Sequence, residues 1–415
     1  MPQLTWPGKT VQFPEPAPLH TDSIIYPQGE GYPDVDPKNR LIFGDNLAIM
    51  AALLTVYEGK IDLIYIDPPF FTNKRYRARV GRGKDSRKPE EWEMVPGYAD
   101  HWPNMDAYLD MLYPRLVLIH RLLSPTGTLY LHLDWHANAY ARLLLDEIFG
   151  PDRLLNEIVW TYHGPSPIKS AFNRKHDTIL SYTKSDEYTF NVDDVRVPYA
   201  DNTVKTFESS DKAGFGKVPN LKRGKVPEDW WYFPVVARLH SERTGYPTQK
   251  PEALLERIML VSSNPGDLIA DFFAGSGTTA AVADRLGRRF IATDAQWRAI
   301  HTTRSRLIRD PGAPFSLERE EQARIPRGEA LLDDQVQLAS ESETPCLRVD
   351  ESLQDQLDYW EVDPCWDGEV FHSAAQAARP LRKGKIPTDL CVPTAGKQMR
   401  VRLVKINGEQ IALNV

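Results

Sequence analysis

Two short apolar runs, each stopping on an aspartate just before a sequence that bends the chain, limit what this polypeptide can become. The first is Ile61-Asp-Leu-Ile-Tyr-Ile-Asp67, followed by Pro68, Pro69 and Phe70. The second is Asp267-Leu-Ile-Ala-Asp271, followed by Phe-Phe273-Ala274-Gly275-Ser276-Gly277-Thr278-Thr279. Short, nearly unbroken apolar runs suit strands buried on both faces of a parallel sheet. The prolines after the first run stiffen the turn. The glycines after the second let a strand pass sharply into a helix whose first N–H groups face a ligand.

The neighbouring sequence continues the alternation. Residues 40–44 read as a strand, 47–57 as a helix capped by Asp45 or Asn46, 104–123 as a helix, 128–133 as a strand, 139–149 as a helix and 157–162 as a strand. After an interruption, 250–260 read as a helix, and 278–286 and 289–294 as the helix and strand that complete the pattern. Strands alternating with helices predict a doubly wound, Rossmann-like α/β sheet. The proline-rich residues 1–38 read as an extended arm, and residues 71–102 as a long loop. Residues 163–244 mix aromatics, prolines and basic groups without that rhythm, and are expected to form an insertion. Residues 311–415 begin with a charged linker and end in alternating residues and an Asn407-Gly408 hairpin signal, so a small β-rich unit is expected there. The expected divisions are therefore 1–38, 39–162, 163–244, 245–310 and 311–415.

Composition narrows the setting. The 415 residues carry a formal charge of −7, which argues against a uniformly basic nucleic-acid coat. Yet residues 74–88 hold eight Lys or Arg against one Asp, a basic run placed directly after the first turn. It reads either as a clamp on phosphates or as a solvated loop. No stretch approaches the roughly twenty apolar residues of a membrane span, and a cytoplasmic protein is expected. The three cysteines, Cys346, Cys365 and Cys391, are widely spaced, suggesting thiols in a reducing compartment rather than a disulfide framework.

The chemistry sits in the two turns. Asp67 offers a carboxylate acceptor, Pro68 and Pro69 a rigid backbone, and Phe70 an aromatic face, which together suit a flat heterocycle held by its amino group. The glycine turn lacks the lysine of a P-loop, and Asp294 ends the next strand where a ribose hydroxyl is held in nucleoside-binding α/β folds. A nucleoside without a triphosphate is the better expectation. No metal is implied.

The two motifs, their order, and Tyr246-Pro-Thr248-Gln-Lys250-Pro251 ahead of the glycine turn resemble the β-class DNA amino-methyltransferases, and most of all the group related to type III modification subunits. The likeness spans roughly residues 38–310, in the circularly permuted order with the catalytic motif first. It implies S-adenosylmethionine as cofactor. Phe273, Ala274, Gly275 and Gly277 would line its methionine part, Asp294 would take the ribose, and Thr248 and Lys250 would lie near the carboxylate. Asp271, Ser276 and Thr278 fall in the same set, while Asp45 either approaches the adenine ring or only caps a helix. The resemblance implies methyl transfer to adenine N6 of a flipped-out base, by Asp67, Pro68, Pro69 and Phe70, with cytosine N4 or a subunit active only with a partner as alternatives. Double-stranded DNA is the implied partner, and a restriction or defence-system subunit and a homodimer stay open. Phosphates are assigned to Lys74, Arg75, Arg77 and Arg79, and to Lys222 and Arg223 in residues 163–244, where the family carries its target-recognition segment and where Arg238 has the donors to read a purine edge. Of Trp230, Trp231, Tyr232 and Phe233, at least two are expected to be core.

Overall fold

The computed structural model describes residues 3–80, 92–165, 168–209, 220–237, 240–328, 335–340, 345–380, 384–392 and 398–415. In chain order β1 (His20–Ile25), β2 (Asn39–Phe43), α1 (Asn46–Tyr57) and β3 (Ile61–Ile66) lead to a hairpin of β4 (Lys74–Val80) and β5 (Glu93–Asp100). Then come α2 (Met105–Leu122), β6 (Leu123–Leu133), α3 (Asn138–Phe149), β7 (Leu154–Thr161), β8 (His176–Thr183), α4 (Asp201–Ser209) and β9 (Trp230–Tyr232). The second motif lies within α5 (Glu252–Ser262), β10 (Leu268–Asp271), α6 (Thr278–Arg285), β11 (Arg289–Asp294) and α7 (Trp297–Leu307).

The remaining strands are β12 (Phe315–Arg319), β13 (Val336–Ser340), β14 (Cys346–Val349), β15 (Leu357–Asp363), β16 (Phe371–Ser373), β17 (Ala375–Ala378), β18 (Asp389–Cys391), β19 (Arg400–Lys405) and β20 (Gln410–Asn414).

Eleven of these strands form one sheet in the order β16-β1-β12-β2-β11-β10-β3-β6-β8-β7-β9. The two motif strands, far apart in sequence, are parallel neighbours, Ile269 opposite Leu63 and Ala270 opposite Ile64. Their carboxyl ends therefore open side by side, where α/β sheets bind ligands. Helices cover both faces. α1, α2 and α3 bury Ile49, Leu53, Leu112, Leu116 and Leu144 against Ile64 and Ile66 of β3, while α5, α6 and α7 bury Leu254, Ile258, Val282 and Ile300 on the face that takes Leu63 and Tyr65. This is the doubly wound, Rossmann-like fold expected from the alternation.

Four expectations need correction. Residues 1–38 are not merely an arm, since β1 pairs antiparallel with β12 and parallel with β16. The expected charged linker supplies β12, beside β2 in the same sheet. Residues 163–244 contain β8, antiparallel to both β6 and β7, so the sheet is mixed and the insertion does not begin at residue 163. The expected loop over residues 71–102 contains the β4–β5 hairpin. The buried strand residues Thr178, Ser181 and Thr183 explain why β8 escapes an apolar pattern.

The tail is β-rich as expected. β17-β15-β19-β20 form one antiparallel sheet, with the Asn407-Gly408 turn joining the last two strands, and β13-β14-β18 form another. The thiol expectation fails at two of the three cysteines: Cys346 and Cys391 lie directly opposite in the β14–β18 ladder and are disulfide-bonded, and Cys365 is free and exposed. Pairing across strands brings together residues whose spacing of 45 gave no sign of it. The tail also grips the main sheet through charge. Arg304 of α7 and Glu361 of β15, both fully buried, form an ion pair, and Ser373 donates to the other Glu361 oxygen at 2.6 Å. Among the described residues no helix is long and apolar enough to cross a membrane.

Candidate active site

The ends of β2, β3, β10 and β11 open into one cavity of about 890 Å³, within the usual range for small-molecule sites of roughly 300–1,000 Å³. Asp67, Pro68, Pro69 and Phe70 line it, as do Asp45, Thr248, Lys250, Asp271, Phe273, Ala274, Gly275, Ser276, Thr278 and Asp294. Gly277 does not. It takes φ +72° at the amino end of α6, and a Cβ there would sit 2.6 Å from the Thr303 side chain, so this glycine serves helix packing.

The Asp67-to-Thr72 turn is held from outside. Buried Asp100, at the end of β5, accepts hydrogen bonds from the backbone N–H groups of Phe70 (3.1 Å), Phe71 (2.9 Å) and Thr72 (2.8 Å), and from the Thr72 hydroxyl (2.6 Å). Tyr108 donates to the Pro69 carbonyl at 2.8 Å. Phe71 and Asn73 adopt φ of 67° and 56°, a conformation uncommon for residues other than glycine. Asp100 thus fixes a bent turn at the start of the segment that the sequence reads as a long loop.

Beneath the turn runs a buried polar chain. The Phe70 ring stacks on His132, with centroids 5.8 Å apart and planes at 27°. His132 Nδ1 lies 2.8 Å from the Tyr65 hydroxyl and Nε2 3.2 Å from Asp177, and Tyr162 donates to the other Asp177 oxygen at 3.1 Å. Burial would raise the Asp177 pKa, but the hydrogen bond and charge of His132 outweigh it and hold the carboxyl below its ordinary value.

Lys250, expected near the cofactor carboxylate, places its ammonium on Asp67 Oδ2 and 5.3 Å from the centroid of the Phe70 ring. Asp67 Oδ1 is buried and has no hydrogen-bond partner among the described residues. A buried carboxylate oxygen left unpartnered is costly, and it suits an amino group brought in by a substrate.

In the second turn Asp294 Oδ2 accepts from Gly275 N at 2.9 Å and Oδ1 from Gln296 N at 2.8 Å. Gly275 has φ +52°, and a Cβ there would lie 3.3 Å from the Tyr246 ring. Asp271 accepts from Phe273 N at 2.9 Å and from the Thr279 hydroxyl at 2.5 Å. Burial pushes Asp271 up to about 7 and Asp294 up to about 6. Seven aspartates, Asp45, Asp67, Asp271 and Asp294 among them, line this cavity against five Lys or Arg side chains, an acidic excess that fits a sulfonium nucleoside. Asp45 does cap α1, accepting from Leu47 N at 3.1 Å, and Arg115 bonds the same oxygen at 2.6 Å.

The expected DNA contacts separate. Lys74, Arg75 and Arg77 are exposed on β4, and Lys74 lines the cavity mouth. Arg79 is half-buried with its guanidinium 4.2 Å from the Trp92 ring centroid, facing a different cavity. Lys222 is exposed, Arg223 is held by Asp193 at 2.8 Å, and Arg238 lies outside the described residues. Of the four aromatics, Trp231 is buried and Phe233 packs on the same core, while Trp230 and Tyr232 are exposed.

Comparison with known proteins gives the family. The pattern of the DNA methylase family N6_N4_Mtase matches residues 61–305. Type II methyltransferase M.BglII of Bacillus subtilis is 31% identical over 62% of this chain and 66% of its own length, just under two thirds. DNA adenine methyltransferase YhdJ of Escherichia coli K12 is 32% identical over 67% of this chain and 85% of its own. Type II methyltransferase M.HpaI of Haemophilus parainfluenzae is 33% identical over 62% and 71%. A Thermus thermophilus protein solved in complex with S-adenosyl-L-methionine is 21% identical over 69% of this chain and 99% of that one, with a TM-score of 0.44. The chain belongs to the N6/N4 family of DNA methylases, S-adenosylmethionine-dependent enzymes that methylate an exocyclic amino group of a DNA base.

Proposed function

We propose that this enzyme methylates N6 of adenine in double-stranded DNA. The observation that carries the reading is Asp67: a carboxylate, rather than a hydroxyl, opens the Pro-Pro-Phe turn and lines the cavity, and one of its oxygens has no hydrogen-bond partner among the described residues. The name of the YhdJ relative, a DNA adenine methyltransferase, supports it.

The exocyclic amine is a weak nucleophile because its lone pair is delocalised into the ring. Asp67 Oδ1 and the Pro68 carbonyl each accept one amino N–H, which favours a pyramidal nitrogen with its lone pair directed away from both. Phe70 stacks on the base, with His132 behind it. Phe273, Ala274, Gly275 and Asp294 would hold the cofactor, which when bound supplies the electrophilic methyl group. The target cannot reach this floor from within a duplex, so it is turned out of the stack, and Lys74, Arg75 and Arg77 hold the neighbouring phosphates. Target recognition belongs in this proposal to the parts of residues 163–244 that flank β8. Arg174, Val235 and Arg243 from those parts line the cavity. Enzymatic digestion of methylated DNA followed by mass spectrometry of the nucleosides tests the reading. N6-methyladenine is expected, and N4-methylcytosine alone would replace it with the alternative.

A further inference from the structure

Phe172 is 99% exposed, more than any other large apolar side chain among the described residues. It stands on the connection from β7 to β8, whose ends are firmly held. Thr161 of β7 pairs with His176 of β8, and Tyr162 N donates to the Lys175 carbonyl at 3.1 Å. Lys175 Nζ in turn donates to the Pro165 carbonyl at 3.0 Å. Ile168, Arg174 and His176 line the active-site cavity, and the Arg174 guanidinium lies 4.2 Å from the ring centroid of Trp135, another cavity residue. Two residues of chain reach at most about 7 Å, so the backbone of Phe172 stands within that distance of the Arg174 backbone while its ring is left in water. Residues 168–175 carry three cations and no acid in a chain of formal charge −7, and Lys169 is exposed. An aromatic ring in water gains by entering an apolar environment. On a basic rim beside a cavity that takes a DNA base, the apolar environment at hand is the stack of bases.

We propose that Phe172 enters the duplex at the place the target base leaves, and that Lys169 beside it holds a flanking phosphate. The inference rests on the reading that the target is turned out of the stack. Extrusion leaves a gap between the neighbouring base pairs, and an inserted ring stacks on the two faces so exposed and hinders the base from returning. Phe172 is thus a positioning residue: it raises the population of the extruded state, whereas Phe70 meets the base inside the pocket.

The test uses the full chain and duplexes carrying its own methylated sequence, read by sequencing DNA modified in cells. With 2-aminopurine at the target position, binding of the unaltered protein should raise the fluorescence, and Phe172→Ala should lose most of that rise. Single-turnover methylation of the matched duplex by Phe172→Ala should fall about tenfold or more, the scale of one base–aromatic stack. Opposite an abasic site the target is already unpaired, and there the variant should methylate at nearly the normal rate, a rescue that a merely structural defect would not show. Phe172→Trp should keep activity on both duplexes. Equal loss on the two duplexes overturns the proposal, as does a normal fluorescence rise with normal methylation in Phe172→Ala. A normal rise with an altered oligomeric state by light scattering also overturns it, giving the ring to a protein contact. Absence of the rise with the unaltered protein would sink the extrusion reading itself, and this inference with it.

Discussion

The ammonium of Lys250 is bonded to the carboxylate of Asp67 across 183 residues of sequence, joining the motif before the glycine turn to the Asp67-Pro-Pro-Phe70 turn. The same ammonium lies 5.3 Å from the Phe70 ring centroid. One lysine therefore touches both side chains assigned to the base, and leaves Asp67 one oxygen without a hydrogen-bond partner among the described residues.

Asp67→Ala should lower methyl transfer by about a thousandfold or more, the scale of losing a preorganised polar contact at the reacting centre. Cofactor affinity by calorimetry should change little. Near-normal turnover with tritiated cofactor would remove Asp67 from the reaction.

Lys250→Met separates two roles. If the lysine positions Asp67, the single-turnover rate at saturating cofactor falls by about tenfold or more while cofactor affinity is nearly kept. A normal rate with strongly weakened cofactor binding would return Lys250 to the methionine carboxylate.

Gly275→Val should weaken cofactor binding at least tenfold, about 1.4 kcal/mol. The residue would be forced to φ +52° with its Cβ 3.3 Å from Tyr246, and it would block the backbone approach. Unchanged affinity would refute the assignment of this turn.

Asp294 and Asp271 give a pH dependence with a definite sign. Their folded values of about 6 and about 7 lie above the ordinary 3.8. The native state thus holds protons that the unfolded chain has released, and this stabilisation, full below 3.8, is lost as pH rises through 6 to 7. The cofactor-free protein should accordingly melt lower at about pH 8 than at about pH 5.5, as far as these two groups contribute. Asp294→Asn should flatten that slope, raise melting at about pH 8 by about 2 °C, and weaken cofactor binding. An unaltered slope in the Asn variant would rule out the buried carboxyl as its origin.

Glu361→Ala should destabilise the chain by about 3–5 kcal/mol, because Arg304 would remain as a buried charge without its partner. Chemical denaturation measures it, and a cost below about 1 kcal/mol would show that the pair is dispensable.

What was legible in the sequence follows from how local each signal is. β3, β10 and β11 carry short, mostly apolar runs that end on or just before aspartates, so the strands could be read directly. α1 announces itself through Asp45, whose side chain does cap it. β8 and β12 were hidden because their buried faces include polar groups with distant partners: Asp177 meets His132, and Glu318 meets Arg40. Asp100, and the contact of Lys250 with Asp67, were missed for the same reason. Each acts on the Asp67-to-Thr72 loop from another part of the chain, and no spacing rule connects them.

The eleven-stranded sheet ends at β16 on one side and β9 on the other, and each has only three residues. A sheet this wide would ordinarily offer long rows of open backbone groups on which a second chain could add a strand. With such short borders, little is left to template that addition. Removing β16 would expose the six residues of β1 in its place, so the tail also shields the catalytic sheet against edge-to-edge aggregation.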